Sequence, residues 1–130
     1  MTKQKQTIWL DFDGVIHSYK SGWQGVTVIP DEPIPYAFAY LKLYLEYFNV
    51  AIFSARNHQK GGIEAMKKWF IKHGFQENYI QSDTNKEGIY FPLHKPCAIL
   101  GLDDNVKRFT GLFPSIDEIK NLESWTKKKG

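Results

Sequence analysis

The chain has 130 residues, of which 42% are hydrophobic and 24% are charged, a composition typical of one globular domain with its own core. Its 17 basic residues exceed its 14 acidic residues by three, and the lysines at 127–129 account for that excess, so net charge alone does not indicate a nucleic-acid-binding face. The single cysteine, Cys97, excludes an internal disulfide and a multi-thiolate metal site. Because no apolar stretch has signal-peptide or membrane-span length, we expect a soluble cytoplasmic protein.

The first predicted element is an apolar run at residues 8–15 that contains two carboxylates and a glycine, Asp11, Asp13 and Gly14. Side chains alternate along a strand, so Asp11 and Asp13 share one side while Phe12 turns into the core. In open α/β sheets, ligands bind at the carboxyl ends of strands. We therefore expect this run to supply the central strand and part of the active site. For an isolated Asp-x-Asp-Gly, a plain turn or part of a calcium loop is the alternative.

A flap and then a helix are predicted after the first strand. Residues 17–25 are rich in turn formers and precede the β-branched residues 26–29 and Pro30, a pattern that indicates a short flap or hairpin beside the carboxylates. A helix should begin near Pro33, because proline suits the first helical turn. Its apolar residues recur at helical spacing and are assigned to the core: Ala37, Leu41, Tyr44, Leu45 and Phe48.

The next predicted elements are a strand and a second helix. A buried strand at 50–53 ends at Ser54, a small polar residue at a strand end. The second helix opens at the glycine pair 61–62 and ends in a glycine C-cap at 73–75, with a hydrophobic contact after it.

The last third of the chain contains shorter predicted elements. Residues 79–81 are assigned to a third strand and residues 82–94 to a loop, within which residues 89–91 are a candidate extra strand. A fourth buried strand at 97–102 runs into paired acids. Strands that alternate with helices predict an α/β fold with a mainly parallel central sheet and right-handed crossovers.

Polar side chains follow three of the predicted strands: Asp11 and Asp13, then Ser54, then Asp103 and Asp104. Parallel strands bring their carboxyl ends to one edge, and four carboxylates gathered there would repel one another unless a cation or a proton intervened. Carboxylate oxygens suit Mg²⁺, which leaves room for a phosphate. An aspartate can attack phosphorus, while a serine and a lysine can hold the phosphoryl group. The pattern therefore predicts a magnesium-dependent phosphoryl-transfer site.

Four motifs in chain order resemble those of the haloacid dehalogenase-like (HAD) superfamily of hydrolases. The first, Asp-x-Asp-x-Val/Thr, corresponds to residues 11–15, and the second, a strand ending in Ser or Thr, to Phe53 and Ser54. The third, a lysine, corresponds to Lys95, and the fourth, a strand ending in paired acids, to residues 102–104. The resemblance implies one hydrolase domain over 1–130 with a three-layer Rossmann-like fold. It also implies a flap hairpin after the first strand and, as in small minimal-cap (C0-type) members, no large cap domain.

By that resemblance, the chain is a magnesium-dependent phosphatase of phosphoric esters. Asp11 would be the nucleophile that forms an aspartyl-phosphate. Asp13 would be the general acid/base that protonates the leaving group and then activates water. Ser54 and Lys95 would orient the phosphoryl group.

The resemblance also implies a ligand set for Mg²⁺. The metal would be held by Asp11, the backbone carbonyl of Asp13, and Asp103. Asp104 would assist through water or by fixing its neighbour. For Asp104 and for Asn105, a helix N-cap role is the open alternative.

Several candidate side chains have a second interpretation. Lys86 lies in the same connection as Lys95. We prefer Lys95 because its position, directly before Pro96 and the last core strand, is similar to that in short-spaced members of the HAD superfamily. Ser54 is also a candidate strand-end cap. Arg56 and Asn57 follow it as candidate substrate contacts, and a helix-start role is equally open for both.

Two other functions are compatible with such a site. A phospho-accepting receiver domain also gathers acids, a hydroxyl and a lysine around Mg²⁺, but it places the acidic pair first in the chain, whereas here the pair comes last. A catalytically idle binding or scaffold domain would retain the same fold, because fold alone does not fix function.

The expected partner is a phosphorylated substrate, either a small molecule or a macromolecular end that reaches an open site, with nucleic acid among the candidates. The roughly twenty residues between Asp13 and the helix leave room for a hairpin, not for a lid domain. Within the flap, Trp23 offers a stacking surface for substrate, and His17 offers a polar contact. The four histidines have no metal-ligand spacing.

Overall fold

A computed structural model describes residues 5–96, 98, 100–102 and 111–121. Cys97, the paired acids Asp103 and Asp104, Asn105 and the terminal lysines lie outside the described residues. The elements in chain order are β1 (Gln6–Leu10), α1 (Ala37–Tyr47), β2 (Phe48–Ile52), α2 (Gly62–Lys72), a 3₁₀ helix (Glu77–Tyr79) and β3 (Leu100–Leu102). Residues 116–121 are also helical.

The described strands form a small, open, parallel sheet in the order β2-β1-β3, so the fold is mixed α/β and compatible with a Rossmann-like fold. β1 is the central strand, as the sequence predicts. In its register, Leu10 lies opposite Ile52 on one side and Leu102 on the other. β2 begins two residues before the predicted strand, at Phe48, and β3 covers the last part of the predicted fourth strand.

The edge of the sheet beyond β2 differs from the prediction. Residues 77–79 form a 3₁₀ helix where a third strand was expected to begin, and Ile80 forms an isolated bridge with Ile89. The segment that lies beside β2 is residues 89–91, the candidate extra strand. The Tyr90 N–H donates to the Val50 carbonyl at 3.1 Å, and the Tyr90 carbonyl accepts the Ile52 N–H at 2.8 Å. Gly88 permits this path, since a Cβ there would lie 2.4 Å from the Tyr79 carbonyl carbon.

The flap, defined here as residues 18–32, is joined to the domain by a short antiparallel base. His17 forms a bridge with Pro33, and the Ser18 N–H donates to the Glu32 carbonyl at 2.9 Å. Farther out, the Ser21 N–H and hydroxyl both donate to the Asp31 carboxylate at 2.7 Å. Residues 26–27 form a turn. The flap is therefore a closed loop with a hairpin-like base.

α1 begins at Ala37, later than the predicted start near Pro33. The residue before a proline avoids helical angles, and the Ile34 N–H donates to the Ile16 carbonyl at 2.8 Å, so this segment stays extended at the base of the flap. The helix buries Ala37, Leu41 and Tyr44. The Tyr44 hydroxyl donates to the Pro114 carbonyl at 2.6 Å, and burial raises the pKa of this phenol.

α2 ends in the C-cap that the sequence predicts. The Phe75 N–H donates to the Phe70 carbonyl at 2.9 Å and the Gly74 N–H to the Ile71 carbonyl at 3.0 Å, which together form a Schellman motif. The Gly74 φ of +96° is the left-handed conformation that this motif requires. The rings of Phe70 and Phe75 pack 5.1 Å apart as the accompanying hydrophobic contact.

The core lies on one face of the sheet. Ile8, Leu10 and Phe12 pack there with the apolar stripes of α1 and α2. Trp9 points to the other face, where its ring makes an edge contact with Phe53 at 5.9 Å. Of the helices in the described part of the chain, none is long and apolar enough to cross a membrane.

Candidate functional site

A tight turn follows the carboxyl end of β1 and carries both predicted carboxylates. The Phe12 carbonyl accepts the N–H groups of Ile16 and His17, each at 2.9 Å, and the Gly14 N–H donates to the His17 carbonyl at 2.8 Å. Gly14 has a φ of +86°, so the predicted sharp turn at this glycine is present. Asp11 is half-buried at the start of the turn, and its carboxylate accepts the Phe12 N–H at 2.7 Å.

The Asp13 carboxylate accepts hydrogen bonds from three side-chain nitrogens. Oδ1 accepts from His17 Nδ1 at 2.9 Å and from Arg56 Nη2 at 3.1 Å, while Oδ2 accepts from Arg56 Nε at 3.0 Å. Burial raises the pKa of this carboxyl, but the hydrogen bonds from His17 and Arg56 and the charge of Arg56 outweigh it, and the pKa lies below its usual value. Asp13 is therefore held as a carboxylate.

His17 is fully buried and orients Asp13 from the base of the flap. Its Nε2 accepts the Asp31 N–H at 3.1 Å, which assigns the ring proton of the neutral imidazole to Nδ1, the atom that faces Asp13. The ring stacks on Phe12 at 5.5 Å and meets Trp69 edge-on at 5.6 Å. Sequence reasoning assigned His17 to the flap and missed its contact with Asp13, although the spacing of four residues across a Gly turn was the available signal.

Arg56 is a fully buried cation that joins Asp13 to the flap. Its Nη1 donates to the carbonyls of Gly25 at 2.8 Å and Val26 at 2.7 Å. Its guanidinium carbon also lies 4.5 Å from the centre of the Trp23 ring. Because Arg56 is buried, direct substrate contact would require displacement of Asp13 or the flap. Its predicted substrate-binding role stays a prediction.

Ser54 and Asn57 build the turn that presents Arg56. The Ser54 hydroxyl accepts the Arg56 N–H at 3.0 Å, and the Ser54 N–H donates to the Asn57 side-chain oxygen at 2.9 Å. The Asn57 amide nitrogen donates to the carbonyls of Ile52 and Pro92, both at 2.8 Å. These contacts correspond to the strand-end cap that was the alternative for Ser54. Asn57 holds a turn that ends before α2 begins, so it does not have the helix-start role that was its alternative. Their roles in substrate binding stay predictions.

The two candidate lysines lie at different ends of the sheet. Lys95 is exposed, and its Nζ lies 4.9 Å from the centre of the Trp9 ring. Trp9 is on β1, two residues before Asp11. Lys86 instead lines a cavity of about 410 Å³ with Phe48 and Asn49, at the amino end of β2. The placement favours Lys95 as the lysine nearer the carboxylates.

The Mg²⁺ ligand set that the resemblance implies stays a prediction. One donor of His17 and two donors of Arg56 converge on the Asp13 carboxylate, and the ligand that the resemblance implies is the backbone carbonyl of this residue, not its side chain. Among the residues that the structure describes, no group of three or more His, Cys, Asp or Glu side chains is placed to hold a metal ion. The predicted ligands Asp103 and Asp104 lie outside those residues.

Comparison with known proteins gives no family assignment. No protein-family model, no curated protein and no solved structure matches this chain. The motifs and the geometry of the residues that carry them are therefore the basis for a functional proposal.

Proposed function

We propose that this chain is a magnesium-dependent phosphomonoester hydrolase that acts through an aspartyl-phosphate. The register of the sheet carries the proposal, because Leu10, Ile52 and Leu102 lie side by side at the carboxyl ends of three adjacent parallel strands. Asp11 and Asp103 are the next residues after two of these strands, and Ser54 follows the third by two residues. Ligand sites of open α/β sheets lie at this edge.

The reaction divides into two displacements at phosphorus. A carboxylate oxygen of Asp11 attacks, the bond to the leaving oxygen breaks, and Asp13 supplies a proton to that oxygen. Asp13 then takes a proton from water, which attacks phosphorus, breaks the bond to Asp11 and releases phosphate. The low pKa of Asp13 suits the second displacement directly, whereas the first requires Asp13 to be protonated in the substrate complex.

The ion would be held by the Asp11 carboxylate, the Asp13 carbonyl and Asp103, with Asp104 acting through water or by fixing its neighbour. When bound, Mg²⁺ supplies charge neutralisation at the phosphoryl oxygens. Ser54 and Lys95 orient the phosphoryl group. The position of Lys95 beside Trp9 supports this role, since Trp9 lies on β1 and Asp11 is the first residue after that strand.

The proposed hydrolase domain is cytoplasmic, three-layered and Rossmann-like, with a hairpin flap in place of a large cap. An open site of this kind admits a small phosphorylated molecule or the phosphorylated end of a macromolecule. The exposed ring of Trp23, on a flap tied to Asp13 through Arg56, supports a role for the flap in substrate contact.

The test is phosphate release from a panel of phosphoesters with Mg²⁺, with EDTA, and in Asp11→Asn. We expect release with Mg²⁺ only, and none from Asp11→Asn, because the amide cannot form the acyl phosphate. Near-normal turnover by Asp11→Asn would refute the covalent mechanism. Binding of phosphoesters without release from any of them would favour the idle binding domain.

A further inference from the structure

Trp23 is a large aromatic side chain that is only half covered. It is 46% exposed, although it lies in a flap segment whose neighbouring carbonyls, those of Gly25 and Val26, are tied to a buried cation. One face of its ring is occupied by the Arg56 guanidinium, 4.5 Å from the ring centre. The exposed surface is therefore the opposite face and its edges.

The position of the ring is fixed relative to the proposed site. Arg56 contacts Trp23 and Asp13 simultaneously, and its two-point hydrogen bond to Asp13 determines where the guanidinium plane lies. The contact distances and the C–N bond between them place the Trp23 ring centre at most about 9 Å from Asp13 Oδ2. A ring stacked on the face away from Arg56 lies about 3.5 Å farther, and a molecule of nucleotide size can span that distance.

The cation behind the ring selects among possible occupants of the outer face. The guanidinium is attracted to the negative face of the indole. A second cation on the opposite face would therefore gain less binding free energy. A neutral planar ring gains from dispersion and from offset stacking, and every nucleobase or aryl group has such a face.

We propose that the outer face of Trp23 is a stacking site for an aromatic ring of the substrate, so that preferred substrates carry a planar ring close to the phosphate. The claim that this substrate carries a phosphate rests on the proposed function. A nucleotide, with one sugar between ring and phosphate, and an aryl phosphate share this chemistry.

The chain offers a matched control at Tyr47. This ring is 44% exposed and has the Lys120 ammonium 5.0 Å from its centre, so it is also a half-exposed aromatic residue backed by a cation. It lies at the last residue of α1, next to the amino end of β2 and away from Asp13.

The experiment is calorimetric binding to Asp11→Asn in Mg²⁺, with adenosine 5′-monophosphate, phenyl phosphate and ribose 5-phosphate as the three probes. We expect the two ring-bearing probes to bind more tightly than ribose 5-phosphate. Adding Trp23→Leu should weaken their binding about 5- to 150-fold and leave ribose 5-phosphate unchanged. Tyr47→Leu should change none of the three. Trp23→Phe keeps a ring and should retain most of the preference, which covers the case in which Trp23→Leu folds poorly.

The outcomes separate this inference from the proposed function. Equal binding of ribose 5-phosphate and the ring-bearing probes, a preference that survives Trp23→Leu, or no binding of any probe would overturn the stacking site. If only one ring-bearing probe shows the Trp23-dependent preference, the stacking site stands and the source of the ring is identified. Ring-dependent binding in a protein that hydrolyses no phosphoester would keep the stacking site and remove the phosphatase. Hydrolysis of phosphoesters without a preference for ring-bearing ones would keep the phosphatase and remove the stacking site.

Discussion

Arg56 and Asp13 form a two-point ion pair, with Nε to Oδ2 at 3.0 Å and Nη2 to Oδ1 at 3.1 Å, between the turn after β1 and the turn after β2. The same guanidinium holds two carbonyls of the flap. One buried cation therefore fixes the proposed acid/base and the loop beside it. We regard Arg56 as a positioning residue, because it reaches the chemistry through Asp13.

Replacing Arg56 should destabilise the protein strongly. Arg56→Met leaves the Asp13 carboxylate without two of its donors and frees the flap carbonyls, for an expected loss of about 3–5 kcal/mol in the free energy of unfolding. Arg56→Lys retains the charge but not the two-point geometry. Its free energy of unfolding should lie between those of the wild type and Arg56→Met. Denaturant unfolding measures both.

Lys20→Met is the matched control, because it breaks an ion pair with Glu32 in the same flap, where both side chains are exposed. The loss in the free energy of unfolding should be far smaller than in Arg56→Met, because solvent screens an exposed pair. Equal losses in the two methionine variants would mean that Arg56 does not anchor the flap.

Asp13→Asn should lower turnover by about 10²–10⁴-fold through loss of acid/base catalysis. Asp13 also accepts hydrogen bonds from His17 and Arg56, so turnover is to be compared per folded molecule, with thermal melting measured alongside. Asp83→Asn, at an exposed loop position, serves as a control that should keep full turnover. Unimpaired turnover in folded Asp13→Asn would assign the acid/base role to another residue.

The stability of the protein should fall in acid partly because of Asp13. Its folded-state pKa lies below the usual value of 3.8, so folding favours the carboxylate. This contribution is fully present above the unfolded-state pKa, and it is lost as the pH falls from about 4 through the folded-state pKa. Denaturant midpoints between pH 6 and pH 2.5 should decline less steeply in Asp13→Asn than in the wild type. Parallel curves would show that Asp13 has the same pKa in both states.

Lys95→Ala should impair phosphate release far more than Lys86→Ala. Lys95 lies near Trp9 on the central strand, whereas Lys86 lines the cavity at the amino end of β2. Steady-state kinetics with Mg²⁺ measures the difference. The reverse ranking would move the phosphate lysine to Lys86 and contradict the proposed orientation of the site.

Asp103→Asn should weaken Mg²⁺ binding, because it replaces a charged oxygen ligand by a neutral one. A metal titration of activity measures the change, with Asp104→Asn tested in parallel. An unchanged titration in Asp103→Asn together with a weakened one in Asp104→Asn would exchange the roles of the two acids.

The local features of the fold could be predicted from the sequence. The glycine C-cap at Gly74 and the turn at Gly14 depend on contacts between residues a few positions apart, which the local sequence expresses directly. The buried strands could be recognised from their apolar runs, although their pairing is long-range. The central position of β1 followed from its apolar run and the αβ alternation, and the register agrees with it. The roles of Asp11, Ser54 and the paired acids remain predictions.

Only the tertiary structure decided which side chains meet. Arg56 and Asp13 are separated by 43 positions, and nothing in either local sequence specifies that one will pair with the other. The contact beyond β2 is likewise long-range: Tyr90 forms a bridge beside β2, whereas the third strand expected at residues 79–81 is reduced to a bridge between Ile80 and Ile89. Local hydrogen bonding fixes turns and caps. An ion pair such as that of Arg56 and Asp13 forms only after strand register brings two turns together and burial excludes water from the charges.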